Sequence, residues 1–459
     1  MISPRAGKDR RRSPNMLWRT VIGLSVAVAA LVSVVMAAGA PAAAAPPNRT
    51  PNPNEIFNGY VLGTFTNGRV ASPQEIFTPL VSADPWYVEP RLRGTEKPGA
   101  IVKARKVAVQ FTGFRPGNLD AYQLMYVTRG LHGEPEISTG ILMVPVDGRA
   151  NATRRVVGYQ FANDSVGAWC HPSTMWTGKD PMDGASWSAL GPLALMFGKG
   201  YAVMISDVGN NGDPHPHGVF AGKFGGNALL DGLRAALAHR DAGLSASAPI
   251  SLFGIAGGGV GAAFAAENAA AYAPELNIRA TVLEGMAVDQ RNFIRTSSGS
   301  IGSGFAFATL LGLEPRYPEM KIDEKLSPAG KALADVFRTQ CQTPAYFATP
   351  FLPLQALFKN GQHPADIPDF QAAYRDNVLG HKAPKAPVLI ASCAADDSFM
   401  SIVPAADARK LARQYRRGGT HVDYHPTNCS MVNFLTNMYG WGTDLFGMQT
   451  IDWMAARLA

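Results

Sequence analysis

The run Ile250-Ser-Leu-Phe-Gly-Ile-Ala-Gly-Gly-Gly259 has the glycine spacing of a nucleophile elbow, set between an apolar strand and a helix. In such a turn a serine stands at the tip and attacks an acyl carbonyl, while the next backbone N–H steadies the oxyanion. The flanking glycines, here Gly254 and Gly258, are needed because the turn is strained and passes close to neighbouring backbone. The tip residue is Ala256. A methyl group cannot attack an ester. Loss of a triad's nucleophile costs on the order of a millionfold, leaving roughly 10³–10⁴ over water from binding and the oxyanion hole. No nearby serine is placed to substitute: Ser251 begins the strand, and Ser297 to Ser303 fall in a later helical segment. By itself the pattern also fits an unrelated glycine-rich turn. His215 and His217, in Asp-Pro-His-Pro-His, read as loop residues, and no Cys/His cluster has zinc-ligand spacing. No metal and no cofactor is expected.

The elements around this turn alternate. Gln123 to Arg129, Ile137 to Pro145, Arg155 to Gln160 and Tyr201 to Ser206 read as strands, being short, apolar and bounded by polar or glycine signals. Asn227 to His239 has helical periodicity, with Leu229, Leu230, Leu233 and Leu237 on one side. Pro249 to Phe253 leads through the glycine turn to an alanine-rich helix, Gly261 to Ala271, and Thr281 to Glu284, Val388 to Ser392 and Val422 to Tyr424 follow as strands. Short buried strands alternating with helices predict an α/β fold with a mainly parallel sheet flanked by helices. Between about Asp289 and Pro387 the signals turn helical, which predicts an inserted helical cap. The expected organisation is a core of 46–288 and 387–459 with a cap or lid at 289–386.

The first 45 residues differ in kind. Arg5, Lys8, Arg10, Arg11, Arg12 and Arg19 precede an apolar run from Val21 to Ala38 and the small residues Ala40 to Ala45. That order is a secretory signal peptide, and an alanine-rich tail rather than a charged stop-transfer patch favours cleavage over a retained anchor. Residues 46–55 are a Pro/Asn-rich lead-in, and no later segment is apolar enough to span a membrane. Six positive charges and one negative lie in the head, so the remainder carries +2 of the formal +7. Nothing there argues for nucleic acid. The chain is 459 residues long, 46% hydrophobic and 17% charged, which supports a large core and no disorder. Cys170, Cys341, Cys393 and Cys429 all follow the head; an even count in an exported protein points to two disulfides, with three connectivities open.

Several blocks give the chain a resemblance. They are Ala121-Tyr-Gln-Leu-Met-Tyr-Val-Thr128, Gly158-Tyr-Gln-Phe-Ala-Asn-Asp-Ser165 with Cys170-His-Pro-Ser173, and Gly200-Tyr-Ala-Val-Met-Ile-Ser-Asp207. Leu230-Asp-Gly-Leu-Arg-Ala-Ala236 and, most specifically, Tyr272-Ala-Pro-Glu-Leu-Asn-Ile278 complete the set. Together they resemble the secretory lipase family, α/β-hydrolase-fold proteins that include the acid-stable yeast lipase A. The resemblance implies an α/β-hydrolase fold and places the acid of the triad at Asp396, beside Asp397. It implies oxyanion-hole roles for Asp164 and the Gly257 N–H, and it sets the nucleophile position on Ala256. The histidine position falls on Cys429; His425, four residues earlier, is the alternative base. The resemblance also pairs Cys170 with Cys341, joining cap to core. Cys393 and Cys429 then remain, in acid and histidine loops that must be neighbours in any triad of this fold. A disulfide is expected there in place of the acid–histidine hydrogen bond, against the alternative of two buried thiols.

The expected function is that of an exported, secreted relative of the lipases, inactive or strongly impaired. It would bind a lipid or acyl-ester ligand, or an envelope protein partner. The alternative is a working triacylglycerol lipase or carboxylic ester hydrolase of lipid catabolism, as the family implies.

Overall fold

The computed structural model describes residues 69–70, 84–110, 114–167, 170–177, 184–210, 217–339, 341, 349–396, 402–430, 432 and 450–459. The signal-type head, the Pro/Asn-rich lead-in, His215 and Asp397 lie outside the described residues.

Nine strands form one sheet: β1 (Ile101–Val107), β2 (Leu119–Arg129), β3 (Pro135–Pro145), β4 (Val156–Gln160), β5 (Ala202–Ser206), β6 (Ile250–Ile255), β7 (Ile278–Glu284), β8 (Val388–Cys393) and β9 (Val422–Thr427). Their spatial order is β9-β8-β7-β6-β4-β5-β3-β2-β1. Strands β5, β4, β6, β7, β8 and β9 run parallel, whereas β3, β2 and β1 pair antiparallel at the other end. The parallel strands are short and buried on both faces, as their unbroken apolar runs require.

Helices cover both faces. On one lie α2 (Gly222–Ala238) and α3 (Ala256–Tyr272), whose Leu229, Leu233, Val260 and Ala263 pack into a buried cluster with Leu252 and Leu283. On the other, α1 (Gly184–Gly198) and the C-terminal helix α8 (Ile451–Leu458) meet Tyr159, Phe253 and Val282. Between Glu284 and Val388 the described chain consists of helices and turns and adds no strand to the sheet. It includes α4 (Gln290–Ser297), α5 (Ser303–Leu313) and α6 (Pro328–Thr339), and Phe293, Phe307 and Phe337 from these join the α2/α3 cluster. The Asp289 carboxylate caps α4 by accepting from the N–H groups of Arg291 and Asn292. Helix α7 (Ala405–Arg417) lies between β8 and β9 in the chain.

The strand order changes direction at β4, with β5 on one side and β6 on the other. In open α/β sheets the crevice beyond the C-terminal ends of such strands is where ligands bind. Both the glycine turn after β6 and the Asp164 segment after β4 open at that point. Among the described residues, no helix is long and apolar enough to cross a membrane.

Candidate active site

The elbow forms as the sequence pattern requires. Ile255 is extended, Ala256 takes a left-handed φ of 51°, and α3 begins at once. A non-glycine residue in this conformation is strained and is held by its surroundings. Gly254 and Gly258 supply the room. A Cβ on Gly254 would lie 2.5 Å from Ala262 Cβ, and one on Gly258 would press into the carbonyl oxygens of Gln160 and Phe161 at the end of β4. Ala256 itself is half-buried and packs against the α1-side cluster. The turn therefore keeps a geometry that presents a side chain at the sheet's C-terminal edge, and the side chain is a methyl.

Asp164 and Gly257 are brought together beside it. Asp164 is buried, and its carboxyl accepts the Gly257 backbone N–H. Burial pushes its pKa up to about 7, held back by that hydrogen bond. Asn163, next to it, donates to Cys170 O (3.0 Å) and accepts from Ser165 N–H (3.1 Å), which fixes the segment's path.

The raised pKa has a stability consequence. A carboxyl whose folded pKa exceeds its unfolded value of about 4 takes up a proton on folding. Its contribution is full below about pH 4 and is lost as pH rises through about 7. Buried Asp207, pushed up to about 6 by burial, acts in the same direction. His171, held well below its usual range by burial, acts oppositely: its contribution is present above about 6.5 and is lost as pH falls through its folded value. Replacing Asp164 by Asn should remove one component alone. Urea unfolding between pH 4 and 7 should show wild type losing stability relative to Asp164→Asn by on the order of 1 kcal/mol per pH unit. Parallel profiles for the two proteins would show that Asp164 is ionised throughout.

The other two loops are tied differently from a hydrolytic pair. Cys393 and Cys429 form a disulfide, with Cα atoms 5.5 Å apart, and Cys170 is bonded to Cys341. Asp396 is exposed and accepts the N–H of Ala405 at the start of α7. His425 lies within β9 and is exposed, in register with Ala391, which pairs with Glu284, which pairs with Ile255. Three strand spacings therefore separate His425 from the residue preceding Ala256, about 14 Å between backbones. A general base must approach its nucleophile to about 3 Å. The nearby serines are engaged elsewhere: Ser251 Oγ donates to Ala280 O (3.2 Å), Ser297 Oγ to Ile402 O (3.0 Å) and Ser300 Oγ to Ser297 O (2.8 Å).

A family model for secretory lipases matches residues 192–459, more than half of the chain. The chain belongs to the secretory lipase family. Among its relatives, a protein of Mycobacterium tuberculosis named "probable inactive lipase MT1628" is 29% identical over 365 residues, covering 75% of this chain and 77% of that one. A secreted triacylglycerol lipase of Malassezia furfur is 28% identical over 370 residues, covering 78% and 73%. Candida antarctica lipase A shares the fold, with a TM-score of 0.65 at 23% identity over 75% of this chain and 79% of that one. The rice cell wall degrading esterase LipA of Xanthomonas oryzae superposes with a TM-score of 0.60 at 17% identity, covering 79% of this chain and all of the esterase. The α/β-hydrolase architecture expected from the resemblance is therefore present.

The chain also carries a buried polar layer beside the elbow that sequence reasoning missed. His171 and His217 stack with ring centroids 3.7 Å apart, and His217 Nδ1 lies 2.6 Å from Asp207 O. The Asp207 carboxylate accepts from Ser173 N–H (3.0 Å), Ser173 Oγ (2.5 Å) and Thr139 Oγ1 (2.6 Å). His217 is thus a loop residue, as expected, but an interior one. These residues come from well-separated stretches of chain; His171, Ser173 and Asp207 stood in recognisable blocks, but nothing in those blocks showed that they meet. What the layer does is position the Asp164 segment and the turn around His217. It holds no exposed nucleophile.

Proposed function

We propose that this secretory lipase homologue binds an acyl lipid or acyl ester in the crevice above β6, beneath a cap of residues 289–386, and does not hydrolyse it. The observation that carries the reading is Ala256: the strained elbow with φ 51° is retained, and the family's nucleophile position holds no hydroxyl. The Cys393–Cys429 disulfide supports it, because the family's histidine position is then a half-cystine. Asp164 and Gly257 are proposed at the family's oxyanion positions, with the Gly257 N–H now held by the Asp164 carboxyl, and Asp396 as the retained acid. His425 lies about three strands from the elbow and is not placed to serve as base. The signal-type residues 1–45 and two disulfides support an exported protein. The relatives named triacylglycerol lipases favour the alternative, a working ester hydrolase, which requires a nucleophile other than Ala256.

A fluorophosphonate probe should leave the protein unlabelled under conditions that label an active member of the family, and native mass spectrometry after gentle extraction should show a co-purifying acyl species. Specific labelling would overturn the silent-site reading. An unlabelled protein with an empty crevice would overturn the ligand and shift the role to an exported partner of envelope proteins.

A further inference from the structure

Helix α7 carries Arg409, Lys410, Arg413, Arg416 and Arg417. At 100° per residue these five fall within an arc of about 120°. The opposite face, formed by Ala405, Ala408, Leu411, Ala412 and Tyr415, is buried in the core. The helix is therefore anchored and cannot roll its apolar side outward. Arg409 reaches Ala394 O (2.7 Å) and Arg416 reaches Val422 O (2.8 Å), both backbone acceptors. Lys410, Arg413 and Arg417 are exposed and make no hydrogen bond or ion pair with described residues.

The neighbouring acids are already engaged. Asp407 accepts from Asn292 Nδ2 (3.0 Å), Asp396 from Ala405 N–H, and Asp423 from Arg457 (3.0 Å) and Trp453 Nε1 (2.6 Å). The concentration is local, since the chain beyond the first 45 residues carries a formal charge of only +2.

The C-terminal end of α7 abuts the loop 380–386. Glu267 gathers Gly380 N–H, Lys382 N–H and Tyr415 OH, and Thr420 Oγ1 donates to Pro384 O (2.6 Å). Lys385 in this loop is also exposed. Beside it opens a recess of about 150 Å³ lined by residues that include Ala266, Ala269, Ala270, Thr281, Pro384 and Lys385. A cavity of that volume holds roughly a benzene-sized fragment, or a stretch of about six carbons.

We propose that this edge of the molecule, the outer face of α7 with the recess at Lys385, docks onto anionic phospholipid. Headgroup phosphates meet the unpaired arginines and lysines, and the recess admits part of an acyl chain. Nucleic acid or a sulfated glycan would use the charge but leave unfilled a recess lined mostly by alanine, proline, leucine and isoleucine side chains, which favours the lipid. The inference is independent of whether the elbow is catalytically silent.

The test is co-sedimentation of the purified protein with vesicles of phosphatidylcholine alone and of phosphatidylcholine with phosphatidylglycerol, at low and high salt. The comparison is with the triple variant Lys410→Gln/Arg413→Gln/Arg417→Gln. All three residues are exposed and unpaired, so the variant should fold; both proteins share the same N-terminal residues, whose effect cancels. Wild type should bind the anionic vesicles and release with salt, and the variant should bind about a hundredfold more weakly. Equal binding by both proteins, or no preference for the anionic vesicles, overturns the proposal. An equal loss of affinity for double-stranded DNA, with wild type binding DNA as tightly as vesicles, overturns the lipid assignment in favour of a general polyanion face.

Discussion

Replacing Ala256 by serine should leave ester hydrolysis within about tenfold of the wild-type background. The substitution restores a hydroxyl at the correct backbone geometry, since α3 and the left-handed turn are already in place. A serine hydroxyl is a weak nucleophile without an adjacent base, however, and triad members act as a unit. Losing the histidine alone costs about as much as losing the whole triad. In the triple variant Ala256→Ser/Cys393→Ala/Cys429→His, an imidazole stands in the loop two residues beyond β9, next to the Asp396 loop and no longer held at the strand's spacing from the elbow. A general base is worth about 10²–10⁴, so the rate should rise at least about a hundredfold over Ala256→Ser. The readouts are kcat/KM on a short-chain p-nitrophenyl ester and fluorophosphonate labelling. Ala256→Ser/Cys393→Ala/Cys429→Ala separates release of the disulfide from gain of the base and should stay at background. Strong activity in Ala256→Ser alone would mean that a base such as His425 does reach the elbow, and that a single methyl silences the site.

The legibility of the fold followed its physical pattern. The parallel strands were readable because burial on both faces demands unbroken apolar runs, as in Val156–Gln160 and Ala202–Ser206. Strand β1 was missed, because Lys103, Arg105 and Lys106 interrupt it and it lies at the sheet's edge. Helix α2 begins at Gly222, five residues before the expected start. Its Gly225 and Gly226 look like loop residues, yet a Cβ on Gly226 would lie 2.7 Å from the Ala265 backbone N, so the glycines mark helix contact rather than a break. Helix α1, with Pro192 inside it, gave no clear periodicity. At the site, the strand–turn–helix of the elbow was legible because it depends on local backbone form; Asp164 and Gly257 came only from the family resemblance, and their hydrogen bond joins residues far apart in the chain. The disulfide at Cys393 and Cys429 was legible once the two loops were taken as neighbours. The stacked histidines were not, since nothing in sequence fixes how the two loops that follow β4 and β5 meet.

The family block Tyr272–Ile278 lies away from the elbow, and its contacts predict a large stability effect. Asp231 on α2 is fully buried and accepts from Thr128 Oγ1 (2.8 Å), Tyr272 OH (2.7 Å) and an Arg234 guanidinium N–H (2.7 Å). Arg234 also donates to Tyr272 O and Glu275 Oε1, both at 2.6 Å. One carboxylate thereby joins β2, α2 and the end of α3. Burial raises the Asp231 pKa, and its three hydrogen bonds oppose that rise. Removing it leaves the Thr128 and Tyr272 hydroxyls without their acceptor and takes one of two carboxylates from Arg234, so Asp231→Ala should cost about 2–4 kcal/mol. Asp231→Asn retains an acceptor but no charge and should cost about 1–3 kcal/mol. Glu275→Ala, at the half-exposed outer pair, should cost at most about 1 kcal/mol. Urea unfolding measures all three. If Asp231→Ala were no worse than Glu275→Ala, the cluster would be a surface ion pair in effect. The predicted order instead makes the cluster a clamp between β2, α2 and the end of α3, whose loss would take a large share of the about 5–15 kcal/mol by which a typical domain is stable.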